Sequence, residues 1–286
     1  MSLRKADESL PERLGACPAA TVEDASMLEF ADTHCHLDHH EEMRPVDQVE
    51  RARAEGVTVI VTVGTDLASS AEAVQTANRH DGVWAAVGVH PNDALEATPA
   101  VMEHIEKLAL QDCVVGIGET GLDYYRESTP VSRQQWAFRQ HIALAKSLSR
   151  TLVVHCRDAW EDTLTILEDE GAPERTVLHC FSGDAALAER CADAGYFLSF
   201  AGNVTFKNAS QLRQAAAAPP LDALLIETDS PFLTPHPYRG RTNEPAHVPL
   251  VARCLAELRG LDLDEIALAT SANARQAFGL PHSRAS

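Results

Sequence analysis

From about residue 27 onward, short apolar runs alternate with longer stretches of helical spacing. The runs cover residues 27–31, 57–63, 83–89, 114–117, 151–154, 176–178, 196–200 and 223–226. Their lengths suit buried strands, and several are nearly unbroken Val, Ile and Leu, the composition of a parallel sheet covered on both faces. Between them lie stretches such as 131–148, where Trp136, Phe138, Ile142, Leu144 and Ala145 recur on one helical face, and 159–170. Eight strands alternating with helices predict an α/β fold, a (β/α)₈ TIM-type barrel; a doubly wound open sheet is the alternative. Residues 261–280 predict an extra C-terminal helix packed on the outside. Nothing in the pattern divides the chain, so residues 28–286 read as one barrel domain. Residues 1–27 are polar and mixed in charge and lack the apolar stretch of a signal peptide; they read as a flexible N-terminal extension.

Composition narrows this picture. The 286 residues lie close to the roughly 250 typical of such a barrel. Apolar residues make up 45%, enough for a core without disulfides or metal staples. The seven cysteines include no CxxC pair. Cys35, Cys156 and Cys180 sit beside histidines in apolar runs and read as small buried hydrophobes in a reducing cytosol, which places the protein in the cytoplasm. No apolar run reaches the roughly 18 residues of a membrane span. The formal net charge of −18, from 24 basic and 42 acidic residues, argues against a broadly basic nucleic-acid face and against an anionic membrane as partner. It leaves room for a locally positive pocket, because bound cations can be the largest charges in a site.

The candidate chemistry lies in where the unusual residues fall. Nearly every apolar run is followed at once by a residue able to bind a metal or move a proton: Asp32-Thr33-His34-Cys35-His36, then His90, Glu119, His155, His179 and Glu227-Thr228-Asp229. In a barrel these are C-terminal strand ends, where enzymes of this fold carry their chemistry. His34 and His36 are two apart, so on a strand both imidazoles aim one way and Cys35 the other. Burying so many polar groups without a partner would cost several kcal/mol, and a cation offsets that cost. His34, His36, Glu119, His155, His179 and Asp229 are too many ligands for one four-coordinate ion. They suit two divalent ions roughly 3.5–4 Å apart sharing a carboxylate. The mixed nitrogen and oxygen set fits Zn²⁺, Mn²⁺ or Fe²⁺ and tolerates Mg²⁺.

The segments DTHCHL (32–37), VGVHP (87–91), GIGETGLDYYR (116–126), VVHCRDAW (153–160), HCFSG (179–183), ETDSPFL (227–233) and YRGRTNEP (238–245) resemble, in order, the signatures of TatD-type metal-dependent deoxyribonucleases. The resemblance spans roughly residues 28–280 and carries over the same six ligands, with Glu119 as the bridging one. Two positions depart from the family pattern: Thr120, where an aliphatic residue is usual, and Arg241, where lysine is frequent.

The activity this implies is hydrolysis of DNA phosphodiester bonds, 3′–5′ exonuclease-like, by water activated between two cations. In that scheme Asp229 and Glu119 serve catalysis, Asp229 as acceptor of the water's proton. His90 contacts substrate or protonates the leaving oxygen. Arg126, Arg157 and Arg241 hold phosphate oxygens. The partner is DNA, single-stranded or frayed at its ends, and a monomer is the expected state. Two other readings compete. A small-molecule hydrolase of the same superfamily, acting on a lactone, amide or phosphoester, has the same ligands and is favoured by the negative charge. A non-catalytic binding barrel would be expected to have lost a ligand, and none is missing.

Overall fold

The computed structural model describes residues 28–126 and 128–281, so the proposed extension at 1–27 lies outside the described residues. Eight strands pair in sequence order as one parallel sheet: β1 (Phe30–Cys35), β2 (Val57–Val63), β3 (Val83–Val87), β4 (Val114–Asp123), β5 (Thr151–Arg157), β6 (Thr176–Leu178), β7 (Phe197–Phe200) and β8 (Leu224–Ile226). The sheet curls back on itself where Cys35 bridges Ser230, His36 N donates to Ser230 O at 2.7 Å, and Asp229 N donates to His34 O at 2.9 Å. The barrel alternative is the one that forms.

Helices α1 (Pro45–Ala54), α2 (Leu67–Arg79), α3 (Pro99–Ala109), α4 (Val131–Leu148), α5 (Trp160–Glu170), α6 (Ala185–Asp193), α7 (Ser210–Ala217) and α8 (Val248–Arg259) follow the strands, and α9 (Leu263–Phe278) ends the chain. Their starts are locally encoded. Asp66, Thr98 and Asp184 each accept the backbone N–H of the residue three further on, and Pro stands at the first turn of α1, α3 and α8.

Two separate apolar layers result. One contains Ala31, Val61, Ala86, Val115, Val153, Val177, Phe197 and Leu225, at least one residue from every strand and none from α1–α8; it fills the barrel interior. The other sets the opposite strand faces, such as Phe30, Ile60, Leu152 and Leu198, against the helices. The final helix departs from expectation. Ala274, Ala277 and Phe278 of α9 belong to the interior layer, Thr151 Oγ1 donates to Ala277 O at 2.6 Å, and Asn273 Nδ2 donates to Leu224 O at 2.8 Å. Thr151 and Leu224 are the first residues of their strands, so the C-terminal half of α9 closes the barrel floor, while Ile266 and Ala267 in its first half pack in the outer layer.

Three strands reach further toward the opposite end than hydrophobicity indicates. β1 runs on through Cys35, β4 through Asp123 and β5 through Arg157. The ladder continues there, with Gly121 paired to His155 and Asp123 to Arg157, although the side chains have turned polar. Gly121 permits this: its φ is +137°, and a Cβ would lie 2.1 Å from His155 O.

Candidate metal centre

The polar strand ends converge on a cavity of about 790 Å³ at the C-terminal mouth of the barrel. Glu119, from β4, is at its centre. Its Oε2 lies 2.8 Å from His179 Nε2 and 3.1 Å from His34 Nε2, and its Oε1 lies 3.3 Å from His90 Nε2. On the β1–β8 side, His36 Nε2 is 3.6 Å from Asp229 Oδ1. On the β5–β6 side, His155 Nδ1 is 3.2 Å from His179 Nε2. The donor atoms fall into three sets, His34–Glu119–His179, His34–His36–Asp229 and His90–Asp123–His155, each within 4.8 Å. His34 and His36 share a set, as their spacing predicts, while Cys35 is buried in the outer layer.

The hydrogen-bond partners decide which ring nitrogen is free to bind a cation. Val63 O can only accept, so His36 Nδ1, at 2.8 Å, carries the proton and Nε2 offers its lone pair to the site. Glu227 Oε1, 3.4 Å from His179 Nδ1 and held by Cys180 N at 2.9 Å, orients His179 in the same sense. Asp123 Oδ2, 3.3 Å from His155 Nε2, leaves Nδ1 of that ring facing the centre. His90 is reversed. Its Nδ1 accepts from Asn92 N at 3.0 Å, so the proton sits on Nε2, which is a donor and not a ligand.

A cation fits this donor set for a further reason. His34 Nδ1 and Nε2 and Glu119 Oε2 are buried without any hydrogen-bond partner; the close approaches to Glu119 lack hydrogen-bond alignment. Leaving three such atoms unsatisfied in a protein interior is costly, and a shared cation would engage two of them at once. Charge points the same way. Burial works to raise Glu119, but the His179 and His90 imidazoles outweigh it and hold the carboxyl well below its usual range. Asp229 is lowered despite its burial, chiefly by His36. Burial would also raise Asp123, yet the contact with His155 brings it down to about 2. Burial lowers His90 to about 3, with Glu119 only partly opposing, so that ring is neutral at physiological pH.

The backbone is bent to make the site. Asp229 and Cys180 have φ of +53° and +44°, left-handed values that cost non-glycine residues on the order of 1 kcal/mol or more and that gather at functional sites.

Arg126 and Arg157, both exposed, line the cavity on the β4–β5 side. Arg241 does not line it; its guanidinium stands 5.7 Å above the Tyr238 ring. Two residues that sequence reasoning left out of the site are Asp123 and Glu227, the carboxylates that orient His155 and His179. Their place within GLD and ETD was the available signal. Asp32 opens the first motif but works as a strut: it accepts from Thr228 N at 2.9 Å and Thr228 Oγ1 at 2.6 Å, joining β1 to the segment after β8. The NEP segment is a clamp as well. Asn243 Nδ2 donates to Thr228 O at 2.9 Å and Phe232 O at 2.7 Å, holding the loop that carries Asp229.

Comparison with known proteins agrees with this geometry. Residues 31–279 match the model of the TatD related DNase family. The metal-dependent hydrolase YabD of Bacillus subtilis is 44% identical over 249 residues, covering 86% of this chain and 98% of that protein. The 3′-5′ ssDNA/RNA exonuclease TatD of Klebsiella pneumoniae is 38% identical over 239 residues, covering 81% and 90%. Among solved structures, the TatD homologue YjjV of Escherichia coli superposes with a TM-score of 0.83 at 31% identity, covering 88% of this chain and 98% of that one. With the donor set, the barrel and these relatives in agreement, the chain belongs to the TatD related DNase family and is a metal-dependent hydrolase.

Proposed function

We propose that this protein hydrolyses DNA phosphodiester bonds as a 3′–5′ exonuclease-like deoxyribonuclease on single-stranded or frayed ends, with two divalent cations as cofactors. The observation that carries the reading is the convergence of His34, His36, Glu119, His155, His179 and Asp229 around buried donor atoms that nothing in the protein satisfies. His34, His36 and Asp229 would hold one cation and His155 and His179 the other, with Glu119 shared between them. Bound there, the cations supply Lewis-acid stabilisation of the phosphoryl oxygens and lower the pKa of an attacking water. The mixed donor set suits Mg²⁺, Mn²⁺, Zn²⁺ or Fe²⁺.

The protein's own groups do the rest. Asp229, held ionised by His36, accepts the proton of the attacking water. His90, with its proton fixed on Nε2, donates a hydrogen bond to a substrate oxygen. Arg126 and Arg157 grip phosphate oxygens from the β4–β5 side, and Arg241 adds positive charge further out. The 38% identical exonuclease of Klebsiella pneumoniae supports the choice of polymer and direction. The competing reading, a small-molecule hydrolase, draws on the net charge of −18, which repels polyanions at long range.

One assay separates them: hydrolysis of single-stranded and duplex DNA labelled at the 5′ end, with chelator, then with Mg²⁺ or Mn²⁺ restored. We expect chelator to abolish cleavage, metal to restore it, and single strands to shorten stepwise from the 3′ end. Cleavage that survives chelation would end the two-cation reading. Failure to cut any DNA, with simple esters hydrolysed, would assign the small-molecule activity instead.

A further inference from the structure

Among the described residues, the exposed large hydrophobic side chains include two aromatic rings, Tyr125 (62% exposed) and Phe232 (55%). Both belong to the mouth of the barrel, Tyr125 just past β4 and Phe232 in the loop after β8. In a closed barrel of eight strands in sequence order, β4 and β8 lie on opposite sides, so the rings flank the metal centre. Single exposed apolar side chains are ordinary on a protein surface; what sets these two apart is their place on either side of the metal centre.

Both positions are held rigidly from the centre itself. Phe232 N donates to Asp229 O at 2.9 Å and Phe232 O accepts from Asn243 Nδ2 at 2.7 Å; the ring lines the cavity beside His36, 6.2 Å between centroids. Across the mouth, Asp123 Oδ1 accepts from Tyr125 N at 3.0 Å while its other oxygen faces His155. The Arg157 guanidinium lies 3.8 Å from the Tyr125 ring centroid and lines the cavity. A guanidinium stacked on tyrosine offers a second flat face, while its edge N–H groups remain free for phosphate.

Resting on the nuclease reading above, we infer that Phe232 and the Tyr125-backed Arg157 are stacking platforms for the unpaired bases on either side of the scissile phosphodiester. The charge of the chain makes such contacts necessary. At −18 the surface gains little from counterion release, so affinity for a strand must come from short-range contacts. Stacking on an aromatic face or a guanidinium plane strengthens binding by about 5–100-fold per base and tolerates any base. It also selects for single strands, because a paired base cannot present its face to the protein.

The test is steady-state hydrolysis by the metal-loaded full chain of a short single-stranded oligonucleotide. A second oligonucleotide carries a tetrahydrofuran abasic residue next to the scissile linkage. Phe232→Ala should raise KM for the intact strand by about 5–100-fold with a much smaller change in kcat, and Phe232→Trp should restore it. On the abasic strand, wild type and Phe232→Ala should converge, because the base that stacks is gone. Tyr125→Leu should act in the same direction with a smaller effect. The inference is overturned if Phe232→Ala leaves KM unchanged, or if its loss is equally large on the abasic strand, since that would mean the ring only props His36. Wild type that hydrolyses methyl p-nitrophenyl phosphate but no oligonucleotide would remove the nuclease reading and this inference together; cleavage indifferent to Phe232 would remove this inference alone.

Discussion

At the N-terminal ends of the strands, α9 closes the barrel with Ala274, Ala277 and Phe278, and two of its polar contacts tie it to the strands: Thr151 with Ala277 O, Asn273 with Leu221 O and Leu224 O. At the C-terminal ends of the same strands, five imidazoles and three carboxylates are packed together, His34 and Glu119 have unsatisfied atoms, and Asp229 and Cys180 take left-handed backbone. The floor is mostly apolar and its central polar groups are paired; the mouth crowds charged and unsatisfied groups within a few ångströms. Stability and function therefore reside at opposite ends of the barrel. The mouth is tolerable because the floor and the interior layer hold the strands in register without it.

The comparison can be tested by damaging one end and reading both properties. The largest effect belongs to Glu119→Ala. Glu119 contacts His34, His90 and His179 at once, so its loss should lower kcat/KM by about 10⁴-fold, roughly 5 kcal/mol of transition-state stabilisation. Circular dichroism and melting temperature should stay near wild type. Near-normal turnover in this variant would break the two-cation reading, and loss of the fold would break the division between the ends.

Phe278→Ala is the converse. This buried ring, 2% exposed, belongs to the interior layer, and its truncation should destabilise the protein by roughly 4 kcal/mol in denaturant melts. Activity per folded molecule and metal content should remain. If kcat falls in step with stability, the floor and the mouth are coupled.

The smallest effect is a matter of pH. In the protein stripped of cations, burial lowers His36, but Asp229 and Glu119 more than compensate and its value rises to about 9; His179 is raised as well, burial being outweighed by Glu119 and Glu227. A folded value above the ordinary 6.5 means stabilisation fully present below pH 6.5 and lost as pH climbs through about 9. For His36 this amounts to at most on the order of 3 kcal/mol, before relaxation of the site reduces it. Melts of chelator-treated protein from pH 6 to 9.5 should show the decline, and added cations should flatten it by taking the place of the proton. Phe278→Ala should shift the whole profile down without changing its shape, because distant sites add independently. A profile that His36→Asn leaves unaltered would refute the assignment.

The alternation of apolar runs and helical stretches was enough for the barrel, because burial on both faces of a parallel strand leaves a local mark in the sequence. The clustering of the six proposed ligands at one mouth was legible for a related reason. His155 and His179 follow an apolar run directly, His34, Glu119 and Asp229 come within three residues of one, and strand ends in this fold share one mouth. Which nitrogen of His36, His155 and His179 is free was beyond the sequence, since that depends on Val63 O and the carboxylates of Asp123 and Glu227, groups brought together from different strands. Asp123 and Arg157 lie beyond the apolar runs 114–117 and 151–154, and β4 and β5 continue to them by backbone pairing that side-chain pattern does not report. Likewise, helical spacing over 261–280 identified α9 but could not say that its apolar face would plug the barrel. Periodicity records which side of an element is buried; only the assembled strands supply what it is buried against.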